Sequence, residues 1–191
     1  MLDDAVNYIV SGLERSGTSL MMQALHSGGL PVAFDDSRPA DEHNPRGYYE
    51  LAGGKIISRL MDGTFDLASN KGRIVKITAY GLKFLPKGNY KIIYMLRKID
   101  EVLDSMQKMG FAVDTARDRV LLRKLNKLSY DLMDRRDDIE YVTVNHHDMI
   151  DNPRREMERV GSFLGRTFDY EQATRAVDPR LYRSRGGLAK D

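Results

Sequence analysis

Residues 11–19, "SGLERSGTS", contain two glycines at the spacing of a phosphate-binding loop. Gly12 and Gly17 match the glycines of the G-x-x-x-x-G-K-[ST] pattern, but Thr18 stands where that pattern has its lysine. A cation comes instead from Arg15, whose guanidinium can bind phosphate or sulfate through two parallel hydrogen bonds. The missing lysine disfavours ATP, because that lysine reaches the β- and γ-phosphates. The stretch predicts an anion-binding loop for another phosphorylated ligand; the alternative is a strand-to-helix turn that binds nothing.

The segments on either side of this loop favour anion binding. Residues 7–12, "NYIVSG", are a β-branched run that predicts a buried strand. The apolar spacing within 16–29 predicts a helix. A glycine loop between a strand and a helix offers several N–H groups and the positive end of the helix dipole to an anion. Thr18 and Ser19 would add hydroxyl donors to this loop.

Strands alternate with helices along the rest of the chain. Continuous apolar runs predict further strands at 73–79 and 90–96, and a fourth strand is predicted at 139–145. Helical spacing predicts further helices at 48–61, 100–109, 114–136 and 153–165. Strands without polar alternation suit a parallel sheet that is covered on both faces. The chain therefore predicts a single three-layer α/β domain over 1–191, with a central, mainly parallel sheet flanked by helices.

The longest predicted helix, at 114–136, carries a row of leucines. Leu121, Leu125, Leu128 and Leu132 recur at helical spacing. This pattern predicts that all four leucines pack into the core, while the Arg, Lys and Asp side chains of the helix face water.

Composition excludes several classes of function. The 191-residue chain is 41% hydrophobic and 30% charged, and its formal net charge is only +2, so we expect no general polyanion binding and no nucleic-acid partner. The absence of cysteine excludes disulfides, thiolate metal sites and a cysteine nucleophile. The acidic start and the lack of an apolar run of roughly 20 residues predict neither a signal peptide nor a membrane span. We expect a soluble, cytoplasmic protein without a bound metal.

A second candidate anion site follows the strand at 90–96. Arg97 comes directly after this strand, and Ser105 lies about two turns into the next helix. Ligands of doubly wound sheets bind at the carboxyl ends of the strands, so this pair predicts a phosphate subsite some distance from the first loop. A ligand that contacts both subsites would carry phosphate groups at two ends. The alternative is an ordinary ion pair of Arg97 with Asp100 or Asp104.

Four stretches together resemble the sulfotransferases that use 3′-phosphoadenosine 5′-phosphosulfate (PAPS). "SGLERSGTSLMMQAL" is similar to their 5′-phosphosulfate loop, and "YKIIYMLRKIDEVLDSM" is similar to their 3′-phosphate element of a strand, Arg, seven residues and Ser. "VNHHDMIDNPRREMERVGSFLG" resembles their segment around Tyr-Glu-Asp-Leu, Asp-Pro and Phe-Leu-Gly. "NPRGYYE" resembles a stretch of many bacterial members. The order and spacing hold from about residue 7 to about residue 165.

The resemblance implies a fold like that of the P-loop NTPases and transfer of a sulfuryl group from PAPS to a hydroxyl or an amine, with PAP (3′,5′-adenosine bisphosphate) as the product. It places the 5′-phosphosulfate on Arg15, Ser16, Gly17, Thr18 and Ser19. It places the 3′-phosphate, which distinguishes PAPS from ATP, on Arg97 and Ser105. A basic C-terminal loop often returns to this phosphate in the family, which implies the same for Arg183 and Arg185; the alternative is a frayed terminus. The modest length of the loops at 33–49, 62–70 and 110–114 favours a small acceptor over a protein, and we expect a small molecule or a glycan.

Three residues are candidates for the chemistry itself. Sulfuryl transfer needs donors for the charge on the transferred group and on the leaving phosphate, which favours Arg15. Lys76 would take the place of the lysine in the Lys-Thr-His segment of cytosolic members, as a second cation. Thr78 stands where that segment has its histidine base, so Glu50 of "NPRGYYE" is the first candidate base, with a pKa raised by burial. The alternative for Glu50 is a place at a helix N-terminus, favoured by the dipole.

Three histidines are weaker candidates. His43, in the polar loop at 33–47, is a second possible base. His146 and His147 lie beside Asp148, which favours a structural pairing over a metal site because no second ligand cluster is present.

Two other functions stay open at this point. A P-loop kinase or NTPase is disfavoured by the absent Gly-Lys-Ser/Thr and by the lack of a clear acidic strand end for magnesium. A non-catalytic nucleotide-binding protein of the same fold is supported by Thr78 in the place of the histidine.

Overall fold

A computed structural model describes residues 1–35, 37–41 and 44–179 of the chain. Its sheet is formed by four parallel strands: β1 (Asn7–Gly12), β2 (Ile74–Lys76), β3 (Tyr90–Leu96) and β4 (Ile139–Asn145). The strands lie in the order β2-β1-β3-β4. All six residues of β1 are buried, because Val10 packs into the core on one face of the sheet and Ile9 into the core on the other. The predicted parallel sheet is therefore confirmed.

Helices cover both faces of this sheet. They are α1 (Thr18–Ser27), α2 (Ile56–Met61), α3 (Ile99–Lys108), α4 (Thr115–Arg135), α5 (His146–Asp151), α6 (Pro153–Leu164) and α7 (Tyr170–Arg175). Apolar side chains of α1, α5, α6 and α7 form the core on one face. Side chains of α2, α4 and a 3-10 segment, Ala79–Phe84, form the core on the other face. This arrangement is the predicted three-layer α/β domain. No helix in the described part of the chain has both the length and the apolar character needed to cross a bilayer.

The position of β1 in the sheet determines where a ligand can bind. β1 pairs with β2 on one side and with β3 on the other. The order of the strands along the sheet therefore reverses direction at β1. The carboxyl ends of β1 and β3 lie side by side, with Gly12 in register with Met95. In doubly wound sheets a crevice opens at this point and holds the ligand. The glycine loop follows β1 and Arg97 follows β3, so both candidate anion sites face this crevice.

The helix predicted at 48–61 is wrong in its first half. Only α2 is α-helical; a single 3-10 turn, Ala52–Gly54, precedes it, and the backbone adopts left-handed conformations at Tyr49 (φ 53°) and Ala52 (φ 56°). The Asp35 carboxylate accepts a hydrogen bond of 2.7 Å from the Ala52 N–H, a donor that a regular helix would direct along its own axis. This contact with a distant loop outweighs a weak helix preference in a segment that contains two glycines.

The prediction for the four leucines of α4 is half wrong. Leu125 and Leu132 pack partly against the core, but Leu121 and Leu128 are 49% and 63% exposed. The 21-residue α4 is about 31 Å long. The seven-residue β4 beside it spans only about 23 Å. The helix is therefore longer than the strand it covers, and helical spacing alone does not show which part of an apolar stripe finds a partner.

Candidate active site

Two glycines determine the shape of the loop between β1 and α1. Gly12 has φ 139° and Gly17 has φ 100°, conformations that residues with a side chain rarely adopt. A Cβ on Gly12 would lie 2.4 Å from the Met95 carbonyl oxygen, and one on Gly17 would lie 2.5 Å from Cδ2 of His146. The loop therefore packs directly against the end of β3 and the start of α5. Because glycine is required at both positions, the spacing noted in the sequence reflects real constraints of the backbone.

Most of the predicted site residues line one cleft of about 610 Å³ at this edge of the sheet. They are Arg15, Gly17, Thr18, Ser19, Glu50, Lys76, Arg97 and Ser105, with Thr78 beside them. Ser16 is buried instead, and both its N–H and its hydroxyl donate to the Leu13 carbonyl, at 3.1 and 2.7 Å. Ser16 thus holds the turn of the loop. His43, Arg183 and Arg185 lie outside the described residues.

The two anion subsites adjoin each other. Arg15 Nε donates a hydrogen bond of 3.1 Å to Ser105 Oγ, so the expectation that the second pair lies some distance from the first loop is wrong. Burial lowers the pKa of the Arg15 guanidinium, although an arginine stays charged in proteins. Arg15 therefore places a positive charge between the end of the glycine loop and the helix that carries Ser105.

Arg97 supports the glycine loop from the neighbouring strand. One of its terminal nitrogens donates 2.9 Å to the carbonyl oxygen of Arg15. Its Nε donates 3.1 Å to Glu101, and both side chains of this pair are only 8% exposed. The ion pair considered for Arg97 does form, but with Glu101, four residues after Arg97 in the first turn of α3. Asp100 and Asp104 bind other basic residues. Arg97 is thus held at the strand end, close to both subsites.

Lys76 lies buried at the end of β2, with its side chain 5% exposed. Its Nζ contacts three oxygens, at 2.8 Å from Glu50 Oε1, 3.1 Å from Ser19 Oγ and 3.0 Å from the Tyr48 carbonyl. Burial lowers the pKa of Lys76, and the charge of Glu50 opposes this shift. Lys76 therefore joins the start of α1 to the loop that precedes α2.

Glu50 is an ionised carboxylate held by two cations. Oε1 accepts from Lys76 and Oε2 accepts from Arg38, both at 2.8 Å. Burial disfavours the charged form of Glu50, but these two cations outweigh it and hold its pKa below the ordinary value. The expectation that burial raises this pKa is therefore wrong. The helix-dipole alternative is also wrong, because Glu50 lies in the loop ahead of α2.

Arg38 was not identified from the sequence. Its guanidinium lies 3.5 Å from the centre of the Tyr48 ring, and it reaches Glu50 from a polar loop. No periodic pattern or motif distinguishes Arg38 from other arginines of the chain. Only its contacts in the folded protein bring it into the site.

His146 is a buried part of the loop's support. It begins α5, packs against Gly17 and lines the cleft. Burial, with the charge of Arg97 adding to it, lowers the pKa of His146 to about 3, so the ring is neutral at physiological pH. His147 pairs with Asp151 at 3.0 Å and not with Asp148. Within 1–35, 37–41 and 44–179 no group of three or more His, Asp or Glu side chains is placed to hold a metal ion.

Comparisons with known proteins agree with this geometry. The family model described as "Sulfotransferase domain" matches residues 6–183. The sulfotransferase domain of the olefin synthase from Synechococcus PCC 7002 is similar to this chain, with a TM-score of 0.58 and 17% identity over 97% of this chain and 90% of that domain. For the sulfotransferase domain from the curacin biosynthetic pathway, the TM-score is 0.51 and the identity 14%, over 95% of this chain and 78% of that domain.

A retinol dehydratase in complex with androsterone and the inactive cofactor PAP has a TM-score of 0.46 and 14% identity, over 96% of this chain and 65% of that chain. A search of curated proteins finds no match. At these identities the structural likeness shows the fold, while the family model covers nearly the whole chain and shows the family.

Proposed function

Since this chain belongs to the sulfotransferase domain family, we propose that it transfers a sulfuryl group from PAPS to a hydroxyl or an amine of a small acceptor, with PAP as the product. The observation that carries the proposal is the meeting of two anion-binding groups in one cleft. The glycine loop with Arg15 is one group, and Arg97 with Ser105 is the other. A nucleotide with phosphates on both its 5′ and 3′ oxygens matches two such groups, whereas ATP carries its phosphates in a single chain.

On the donor side, the N–H groups at the start of α1 and the hydroxyls of Thr18 and Ser19 would bind the 5′-phosphosulfate. Arg15 would neutralise the charge that develops on the transferred group and on the leaving phosphate. Arg97 and Ser105 would bind the 3′-phosphate. These assignments are supported by the common cleft and by the position of the Arg15 guanidinium beside Ser105.

On the acceptor side, Glu50 would act as the base. It would take the proton of the acceptor hydroxyl as the acceptor oxygen bonds to sulfur, while the bond between sulfur and the 5′-phosphate oxygen breaks and PAP leaves. The ionised state of Glu50 at neutral pH supports this role, because a protonated carboxyl could not accept the proton. Lys76, which contacts both Glu50 and Ser19, would keep the base at a fixed place relative to the donor loop.

The lining of the cleft supports a small acceptor with an apolar part. Ile57, Met106, Met109 and Phe111 line the same cleft as Glu50 and Ser105, and Phe111 is 51% exposed. Exposed apolar side chains at the mouth of a cleft are typical of ligand-binding surfaces. A glycan acceptor offers less apolar surface to match them.

Some expectations stay predictions from the sequence. They are the contact of Arg183 and Arg185 with the 3′-phosphate, the single domain over 1–191 and the cytoplasmic location.

The proposal is tested by comparing thermal stabilisation by PAP in a chelator with stabilisation by ATP and Mg²⁺. A ligand that binds only the native state adds about 2.7 kcal/mol at a hundred times its Kd. We expect PAP to stabilise the protein and ATP not to. Arg97→Ala should weaken PAP binding at least about tenfold, since hydrogen bonds to charged groups contribute about 1.5–3 kcal/mol. The matched control is Arg119→Ala, which removes an arginine paired with Asp100 on the surface.

Stabilisation by ATP without stabilisation by PAP would overturn the proposal in favour of a kinase or NTPase. Transfer itself is measured with labelled PAPS and a panel of alcohols, phenols, amines and sugars. Tight PAP binding with no transfer to any member of that panel would favour the non-catalytic alternative.

A further inference from the structure

Arg38 contacts the candidate base from the side opposite to Lys76. Its guanidinium lies against the Tyr48 ring, 3.5 Å from the ring centre, and donates 2.8 Å to Glu50 Oε2. The backbone of the short turn ahead of α2 also packs against this carboxylate, since a Cβ on Gly54 would lie 2.8 Å from Oε2. Glu50 is therefore enclosed on three sides, and each oxygen faces a different cation.

The two cations differ in how firmly they are held. The Lys76 side chain is 5% exposed and contacts three oxygens, so its removal would disturb the start of α1 as well as Glu50. The Arg38 side chain is 41% exposed, and it lines both the main cleft and a smaller pocket of about 380 Å³, as Tyr48 also does. Water could replace its guanidinium without leaving a buried void. Arg38 is thus the cation that can influence Glu50 without forming part of the core.

We propose that Arg38 is a positioning residue for the base: it holds the Glu50 carboxylate ionised and fixes the direction in which Oε1 and Oε2 face the cleft. This inference rests on the proposed function, because it concerns the base of that reaction. Arg38 does not itself contact the reacting atoms. Its effect on transfer passes through the basicity and the orientation of Glu50.

Other charged groups also lie near the Glu50 carboxylate. Lys76 faces it from β2, and Arg15 of the glycine loop faces Lys76. Asp41 accepts a hydrogen bond from the Tyr48 hydroxyl on the loop that carries Arg38. Substituting Arg38 removes none of these charges, so a change in the titration of Glu50 that Arg38→Lys does not show is due to the lost guanidinium charge.

The sign of the expected effect follows from the charge. Arg38 favours the ionised form of Glu50, so Arg38→Gln raises the pKa of this carboxyl, and protonation inactivates the base at a higher pH. The acidic limb of the kcat/KM profile should move up by about half to one pH unit, the size expected for a partly exposed ion pair. Arg38→Lys keeps the charge, and its acidic limb should stay with that of the unsubstituted protein.

The experiment measures kcat/KM against pH for the unsubstituted protein, R38Q and R38K. The same proteins are titrated by carboxyl carbon NMR, and the signal of Glu50 is identified by its absence from Glu50→Gln. The matched control is Arg46→Gln, on the same loop, whose arginine pairs with Asp178 at 3.3 Å and does not contact Glu50. An upward shift in R38Q alone, in both measurements, supports the proposal. PAP affinity is measured for each variant to show that the fold and the donor side are intact. If R38Q has lost PAP affinity, Arg38→Met replaces it in the experiment, because the methionine side chain would still cover the Tyr48 ring.

Coincident pH profiles for R38Q and the unsubstituted protein would overturn the proposal, and so would an equal shift in R46Q. Full turnover in Glu50→Gln would also overturn it, because Glu50 would then not be the base. Absence of transfer by the unsubstituted protein is a failure of the proposed function. The NMR titration distinguishes the two failures, because it reports the effect of Arg38 on Glu50 without any turnover.

Discussion

The two halves of the cleft are built in different ways. The proposed donor half, formed by the glycine loop with Arg97 and Ser105, is held by the backbone: two glycines pack against neighbouring elements, and Gly12 is in register with Met95 across adjacent strands. The proposed acceptor half is held by side chains that link a long loop to the sheet, chiefly Glu50 with Lys76 and with Arg38. Backbone constraints leave marks at fixed spacings in a sequence, whereas contacts between distant side chains do not.

This difference has consequences for substitution. In the donor half a single added methyl group should be enough to displace the loop. In the acceptor half the loss of one side chain should be partly compensated by changing its partner. Three substitutions, ordered by the size of their effect, test this contrast.

Gly17→Ala should have the largest effect. The added Cβ would meet His146 at 2.5 Å, and the backbone would keep its left-handed conformation at φ 100°. Strain and overpacking together should lower the free energy of unfolding by about 4 kcal/mol. Chemical denaturation measures this loss, and PAP binding should fall with it. Gly29→Ala is the matched control: Gly29 has φ 83° but nothing within 4 Å of its Cβ position, so only about 1 kcal/mol should be lost. Equal losses in the two variants would contradict the close approach of His146 to Gly17.

Lys76→Met should have the second largest effect. It leaves the mostly buried Glu50 carboxylate with Arg38 as its remaining ion-pair partner, which should cost about 3 kcal/mol in the free energy of unfolding. The double variant Lys76→Met with Glu50→Gln removes the charge left behind and should recover at least about 1 kcal/mol. A double-mutant cycle by chemical denaturation measures this coupling. Additive losses would show that the acceptor half does not depend on this pair.

His146→Gln should change the pH dependence of stability. The folded state holds the pKa of His146 at about 3, below the ordinary histidine value of 6.5, so between these values the unfolded state takes up a proton that the folded state does not. Stability due to this group is complete above pH 6.5 and falls as the pH is lowered. The slope approaches about 1.4 kcal/mol per pH unit for one proton.

Denaturation at pH 4.5, 5.5 and 7 should therefore show a shallower loss in His146→Gln than in the unsubstituted protein. His147→Gln is the control, because His147 is 61% exposed and lies outside the core. An identical slope in the unsubstituted protein and in His146→Gln would contradict the burial of this ring beneath the loop.

The sequence alone predicted the four parallel strands and most residues of the donor half. The strands at 90–96 and 139–145 have the predicted bounds, whereas the run predicted at 73–79 is a strand only over Ile74–Lys76. The glycine loop was predicted because its spacing is required by close packing at Gly12 and Gly17. The contact between Arg15 and Ser105 was missed, since it depends on the direction of two long-range side chains.

The acceptor half was harder to predict for physical reasons. Tyr49 and Ala52 adopt left-handed conformations that are imposed by contacts with a distant loop, so local preference predicted a helix there. Glu50 and Lys76 were each identified, but their pairing was not, and it reverses the expected shift in the pKa of Glu50. The six-residue helices α5 and α7 were missed because they are too short for a clear helical period.

Arg15 adopts φ 66°, a conformation in which glycine would be less strained. A glycine there would relieve about 1 kcal/mol of backbone strain, but it would also remove the guanidinium between the two subsites. Selection for stability and selection for activity therefore favour different residues at this position. Libraries screened only for thermal tolerance should therefore tend to replace Arg15, the residue that we propose for the donor side, with glycine.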